Sequence, residues 1–203
     1  MSVDTEESST ENIGAHHLDT EGVSVEDTDA EDTGSKRIGF EEVDFTRAMA
    51  RVPGPVVVAT TVDESGRRWG FTASSFVSLS LAPPLVTVSL GKKASTHAAF
   101  TVADHFMVNV LAHDQSDIAR RFATSGVDRF AAGDTLPLER GLPGIPEAAV
   151  RLVCRMHEVA DGGDHSMLIG RVLDCITCTD REALVYVDRG FARTAVPEAT
   201  RVR

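Results

Sequence analysis

A chain of 203 residues with a formal net charge of −11 is long enough to bury a core and short enough to expect a single domain. Residues 1–35 hold 11 of the 31 acidic residues and no Lys or Arg, which leaves 20 residues of each sign beyond them, so the fold has no basic stripe for nucleic acid. No apolar run reaches bilayer length, and three cysteines are too few and of the wrong parity for a disulfide framework; a protein free in a reducing cytoplasm is expected, with no membrane partner.

Residues 1–36 read as a disordered acidic tail, because Ser, Thr, Asp and Glu cannot bury enough area to offset the entropy of ordering. Residues 37–195 are expected to form the folded domain and 196–203 a C-terminal tail. Phe40, Val43, Phe45, Ala48, Met49 and Val52 are spaced for a short amphipathic helix, stopped by Pro53-Gly54-Pro55. Pro55–Val62 is β-branched and reads as a strand, turned by Asp63–Gly66 into a partner around Arg68–Thr72. Leu85–Leu90 is the next strand, ended by Gly91; Ser95-Thr96 then looks like the cap of a short helix. His105–Leu111 returns as a strand, and Gln115–Thr124 is a helix with Ile118, Ala119 and Phe122 on one face. Residues 126–147 are irregular. Two long strands, about Val150–Ala160 and Ser166–Thr177, meet at the turn Asp161-Gly162-Gly163-Asp164, and Ala183–Val187 gives a last strand. Six or seven strands with short turns and few helices point to a mainly β fold, an antiparallel barrel rather than a doubly wound sheet.

Two segments stand out chemically. Gly70 to Ser80 places Thr72, Ser74, Ser75 and Ser78 among small residues between apolar strands, where a planar ligand can approach the backbone and hydroxyls can read its edge. Gly91-Lys92-Lys93-Ala94-Ser95-Thr96 combines two ammonium groups, two hydroxyls and an expected helix start, the makings of an anion site. His165 follows the Asp161–Asp164 turn into a strand and is a candidate to face a ligand. Cys175 and Cys178 have redox spacing, but residues three apart on a strand point to opposite faces. No histidine spacing suits a metal, so none is expected. No Rossmann, P-loop or nucleophile-elbow motif occurs.

These residues resemble the flavin-reductase-like family, the small component of two-component flavin-dependent monooxygenases. The resemblance runs in order from the Phe45…Met49…Pro53-Gly54-Pro55-Val56 entry through Gly70–Phe76, Ser80–Leu85, Gly91…Ser95-Thr96 and Phe106–Leu111. It continues through Gln115…Ala123, Asp128-Arg129-Phe130, Gly163-Asp164-His165 and Ile169–Val172. The ending Ala183–Arg189 looks most like the reductases of actinomycete aromatic polyketide pathways. The resemblance implies an FMN-binding split β-barrel, a homodimer, and hydride transfer from NADH or NADPH to FMN or FAD, with reduced flavin passed to a partner monooxygenase by diffusion or transient contact. It implies that Thr72, Ala73, Ser74 and Ser75 line the isoalloxazine and ribityl groups. Gly91, Ser95 and Thr96 would hold the phosphate, Phe122 would lie near the flavin, and His165 by the nicotinamide. Arg171 departs from it, standing where many relatives carry an acidic residue. A flavin carrier without turnover and a pyridoxamine-phosphate-oxidase-like enzyme are the alternatives.

Overall fold

The computed structural model describes residues 42–194; the expected tails, 1–36 and 196–203, lie outside them. Helix α1 (Glu42–Ala50) leads into β1 (Gly54–Pro55) and β2 (Val57–Val62). Then come β3 (Arg68–Ala73), β4 (Val77–Leu81) and β5 (Pro84–Gly91), followed by α2 (His97–Thr101), β6 (His105–Val110) and α3 (Ser116–Ala123). Two short strands, β7 (Leu136–Pro137) and β8 (Pro143–Gly144), interrupt the expected irregular stretch. The long strands β9 (Val150–Gly162) and β10 (His165–Thr177) precede a closing hairpin, β11 (Leu184–Val187) and β12 (Gly190–Arg193).

Seven strands form one antiparallel sheet in the order β3-β2-β6-β9-β10-β5-β4. The β2–β3 hairpin is set by Asp63, whose Oδ1 accepts the N–H groups of Ser65 and Arg67 while Oδ2 accepts Trp69 Nε1 at 2.8 Å. The β9–β10 turn is set by Gly163 at φ 79°, a conformation few other residues adopt, with its N–H donated to Asp161.

Side chains alternate across each strand, and the sheet spends both faces. Val57, Ala59, Phe71, Val88, Phe106, Val108, Leu152 and Leu168, from strands spread across the whole sheet, meet in one buried cluster with Phe100 of α2. The sheet must therefore curl around that core. It stays open, because β3 and β4, its two outer strands, do not pair. On the opposite face, Val58 of β2 and Val56 just before it pack with Ala119 and Phe122 of α3, Ile145 and Leu184.

Three local expectations change. The Gly70–Ser80 run is the end of β3, a corner at Ser74–Phe76, and the edge strand β4; Ser78 and Ser80 alternate with Val77, Leu79 and Leu81, a period of two that the hydroxyls disguised. Thr96 precedes α2 but makes no side-chain cap bond. The β11–β12 hairpin turns on Asp188 and Arg189, at φ 48° and 60°, without the glycine that normally signals such a turn. Cys175 ends up exposed on β10 and Cys178 lies beyond it; both thiols are free.

Candidate functional site

The geometry starts from the free edge of β3. The β2–β3 hairpin closes with the Asp63 N–H on the Arg67 carbonyl at 3.0 Å, so of the pairs along it the hydrogen-bonded ones are 61–69, 59–71 and 57–73. An antiparallel residue turns its N–H and C=O the same way, and neighbours alternate, so Arg68, Gly70 and Thr72 face outward. The Gly70 carbonyl accordingly accepts from Arg129 Nη1 at 2.8 Å. No side chain fits at Gly70: a Cβ there would stand 2.7 Å from the Phe122 ring and 3.1 Å from the Ala59 carbonyl. Thr72 donates its hydroxyl to the Ala119 carbonyl of α3 at 2.7 Å, and the Ala73 methyl sits in the core. What Thr72 can offer a ligand is backbone, while the Ala73 peptide groups face β2. At the corner, Ser75 Oγ accepts the Ser89 N–H at 3.0 Å, pinning the open side of the sheet to β5.

That pin draws the second segment close. Ser89 lies two residues before Gly91, and Gly91 pairs with His165 of β10; strand rise puts them roughly 7 Å apart. His165 Nδ1 is 2.7 Å from Asp164 Oδ1, which fixes the ring and leaves Nε2 beside Gly91. Next along β10, Ser166 is buried and its Oγ lies 2.9 Å from His97 Nε2 of α2. Lys92 is taken up by Asp161 at 2.8 Å; that hydrogen bond, with the Gly163 N–H, holds the Asp161 carboxyl below its usual range. With one lysine engaged and α2 only five residues long, the expected anion site has little helix dipole and only part of its ammonium charge.

Positive charge comes instead from arginines. A cleft of about 780 Å³ runs along β3 between Gly66–Gly70, Ser95-Thr96 and Gly126–Phe130. Arg67 lies over the Trp69 ring at 4.0 Å and Arg68 over Phe130 at 4.7 Å. Its outer wall is clipped down. Arg121 binds Asp134 at 2.6 Å and the Arg129 carbonyl at 2.9 Å, Arg129 reaches Thr124 as well as Gly70, and Phe130 meets Phe122 edge-on at 5.1 Å. Burial pulls the Arg129 guanidinium below its ordinary pKa. Thr96 is 2 % exposed and its Oγ1 has no hydrogen-bond partner, a costly state for a buried hydroxyl unless a ligand completes it.

The flavin reductase like domain matches residues 49–195. The chain belongs to that family. An NADH:riboflavin 5'-phosphate oxidoreductase of Streptomyces pristinaespiralis is 44% identical over 134 residues, covering 66% of this chain and 76% of the relative. The reductase component of a 4-nitrophenol 4-monooxygenase/4-nitrocatechol 2-monooxygenase of Rhodococcus opacus is 32% identical, covering 73% and 80%. Among solved structures, an NADH:FAD oxidoreductase of Streptomyces globisporus in complex with NAD and FAD fragments superposes with a TM-score of 0.73 at 36% identity, covering 78% of this chain and 95% of that one.

In this flavin reductase-like chain the Ser75–Ser89 contact across the open side of the sheet links most of the expected residues. Thr72–Ser75, Gly91 and His165 are linked through β5, and Ser95 and Thr96 share the cleft with Gly70. Phe122 does not line that surface; it is fully buried beneath Gly70. Sequence reasoning missed Arg67, Arg68 and the His97–Ser166 pair. An Arg-Arg-Trp triplet directly before Gly70 was the available signal for the arginines; the His97–Ser166 contact, between residues 69 apart, had none.

Proposed function

We propose that this chain is an NAD(P)H-dependent flavin reductase that reduces FMN or FAD and supplies the reduced flavin to a partner monooxygenase. The observation that carries the reading is a free β3 edge running from a small-residue corner into an arginine-lined cleft, in a chain of this family. The orphaned Thr96 hydroxyl and the close-packed, side-chain-free surface at Gly70 suit a ligand that brings its own acceptors and lies flat against backbone. When bound, the flavin supplies the acceptor for the hydride of the nicotinamide.

The protein's share is binding and orientation. Thr72 would hold the ring system through its outward peptide groups, Ala73 by packing behind them, Ser74 and Ser75 through the corner, and Phe122 by propping Gly70 from below. Gly91, Ser95 and Thr96 would hold the phosphate side. His165, oriented by Asp164, would wall the nicotinamide. NADH as the donor is supported by the names of both oxidoreductase relatives. The curled open sheet supports a split barrel, and the free thiols suit the cytoplasm. A homodimer is part of the proposal: Val77, Leu79 and Leu81 stand exposed along β4, an edge that a second copy can cover by an isologous contact.

Anaerobic stopped-flow mixing of NADH with the protein and either flavin tests the reading. Bleaching of flavin absorbance faster than with free flavin is expected; a rate equal to that of free flavin sinks it.

A further inference from the structure

The cleft beside β3 offers more room and more charge than a flat ring at the corner needs. Its walls include Gly70, Ser95 and Thr96 but none of Thr72–Ser75, so its volume adds to whatever space lies over that corner. At about 780 Å³ it is the size of a whole small-ligand pocket. Arg67 and Arg68 lie with their guanidinium groups over Trp69 and Phe130, and neither forms an ion pair among the described residues. A guanidinium held over a ring still has N–H groups to turn to the paired oxygens of phosphate. Asp128, the carboxylate in the wall, accepts the Phe130 N–H through one of its two oxygens at 2.9 Å. Arg129 is committed to two carbonyls, so it shapes the cleft and leaves the binding to its neighbours.

On the reading that this chain is a flavin reductase, we infer that the cleft takes the adenosine diphosphate part of a dinucleotide, with Arg67 and Arg68 on the diphosphate, and that FAD is the flavin it prefers. Both FAD and NADH carry that group. Continuity assigns it to FAD: the outward N–H groups of β3 lead from Thr72 at the corner to Arg68 in the cleft, four residues or roughly 13 Å of strand, a track that a ribityl phosphate chain can follow. Relatives are named for riboflavin 5'-phosphate and for FAD alike, so the choice rests on these side chains.

Equilibrium titration of the full chain by flavin fluorescence, with riboflavin, FMN and FAD and with ADP as competitor, reads this directly. The wild type should bind FAD about tenfold or more tighter than FMN, and ADP should displace FAD. Arg67→Ala/Arg68→Ala should lower FAD affinity by about tenfold and abolish ADP competition, with Arg67→Lys/Arg68→Lys falling between. Circular dichroism melts check that each variant folds. Equal affinity for FMN and FAD in the wild type overturns the assignment, as does an equal loss for riboflavin and FAD in the double variant. Stopped-flow reduction with NADH and with reduced nicotinamide mononucleotide separates the second source. If the double variant weakens NADH and spares FAD, the cleft holds the nicotinamide's diphosphate and the FAD preference is wrong. Failure to bind any flavin, riboflavin included, strikes down the reductase reading and this inference with it.

Discussion

The sheet has two open edges, three residues apart in sequence, and they solve the problem of an open edge in opposite ways. Unpaired strand edges invite association. Along β3 the outward residues are Arg68, Gly70 and Thr72: small or cationic, clipped by Arg129, and flanked by a cleft. Along β4 they are Val77, Leu79 and Leu81, between 51% and 89% exposed, with a register shift at Ser78–Ser80. The first edge offers peptide groups and charge and suits a small anionic ligand; the second offers apolar side chains and suits another protein surface. One corner, Ser74–Phe76, separates them, so a ligand on β3 and a partner on β4 would be near neighbours.

The sharpest way to break the β3 side is from below. Phe122 is fully buried, touches Phe130, and carries Gly70 on its ring. Phe122→Ala should cost about 3–5 kcal/mol of stability, read by urea denaturation. Gly70→Ala attacks the same contact from above, forcing a Cβ to 2.7 Å from that ring; a loss of about 1–3 kcal/mol and weaker flavin binding are expected. Thr72→Val removes the bond to the Ala119 carbonyl and should cost about 1 kcal/mol, with α3 and the loop it holds exchanging amide hydrogens faster.

How much of this was legible follows from which signals are local. The β-branched run of β2, the Asp161–Gly163 turn and the Ile118, Ala119, Phe122 stripe of α3 are local patterns, and the fold kept all three; Ala119 and Phe122 are indeed buried. Inside the hydroxyl-rich run, Ser78 and Ser80 hide the period of two of β4, an edge strand with both serines interleaved among Val77, Leu79 and Leu81. The turn at Asp188-Arg189 lacked its glycine. Lys92 and Lys93 stand out as the charge of the site, but Asp161, 69 residues away, claims Lys92, and Arg67 and Arg68 gain a cleft only when residues 126–130 form its other wall. Long-range pairings of this kind leave no trace in a window of sequence.

Acid should loosen the β3 hairpin before the core. Asp63 is held at about 2, below its ordinary 3.8, first by the Ser65 hydroxyl and then by Trp69 Nε1. A depressed carboxyl contributes stability that is present above the ordinary value and lost as pH falls through the folded one, so the window is about pH 4 to 2. Trp69 is the chain's one tryptophan; its emission should shift within that window. Asp63→Asn, which cannot titrate, should erase the step, and a shift that survives the substitution would assign it to another group.

The β4 edge should respond least in stability and most in assembly. Leu81 is 89% exposed and Val77 55%, so Val77→Lys/Leu81→Lys removes little buried area and should change unfolding free energy by no more than about 0.5 kcal/mol. If a second copy covers this edge, two lysines facing their symmetry mates meet desolvation and like-charge repulsion at once, and the pair should separate. Sedimentation equilibrium would then show a dimeric wild type and a monomeric double variant with the same melting curve at low concentration. A variant that stays dimeric places the partner elsewhere and removes the contrast between the two edges; a monomeric wild type leaves β4 protected only by its bulge. Because the corner joins both edges, separating the copies should also loosen flavin at Ser74 and Ser75, even though neither substitution touches the cleft. That coupling between a mutated apolar edge and binding on the other one is the consequence that two independent edges would not produce.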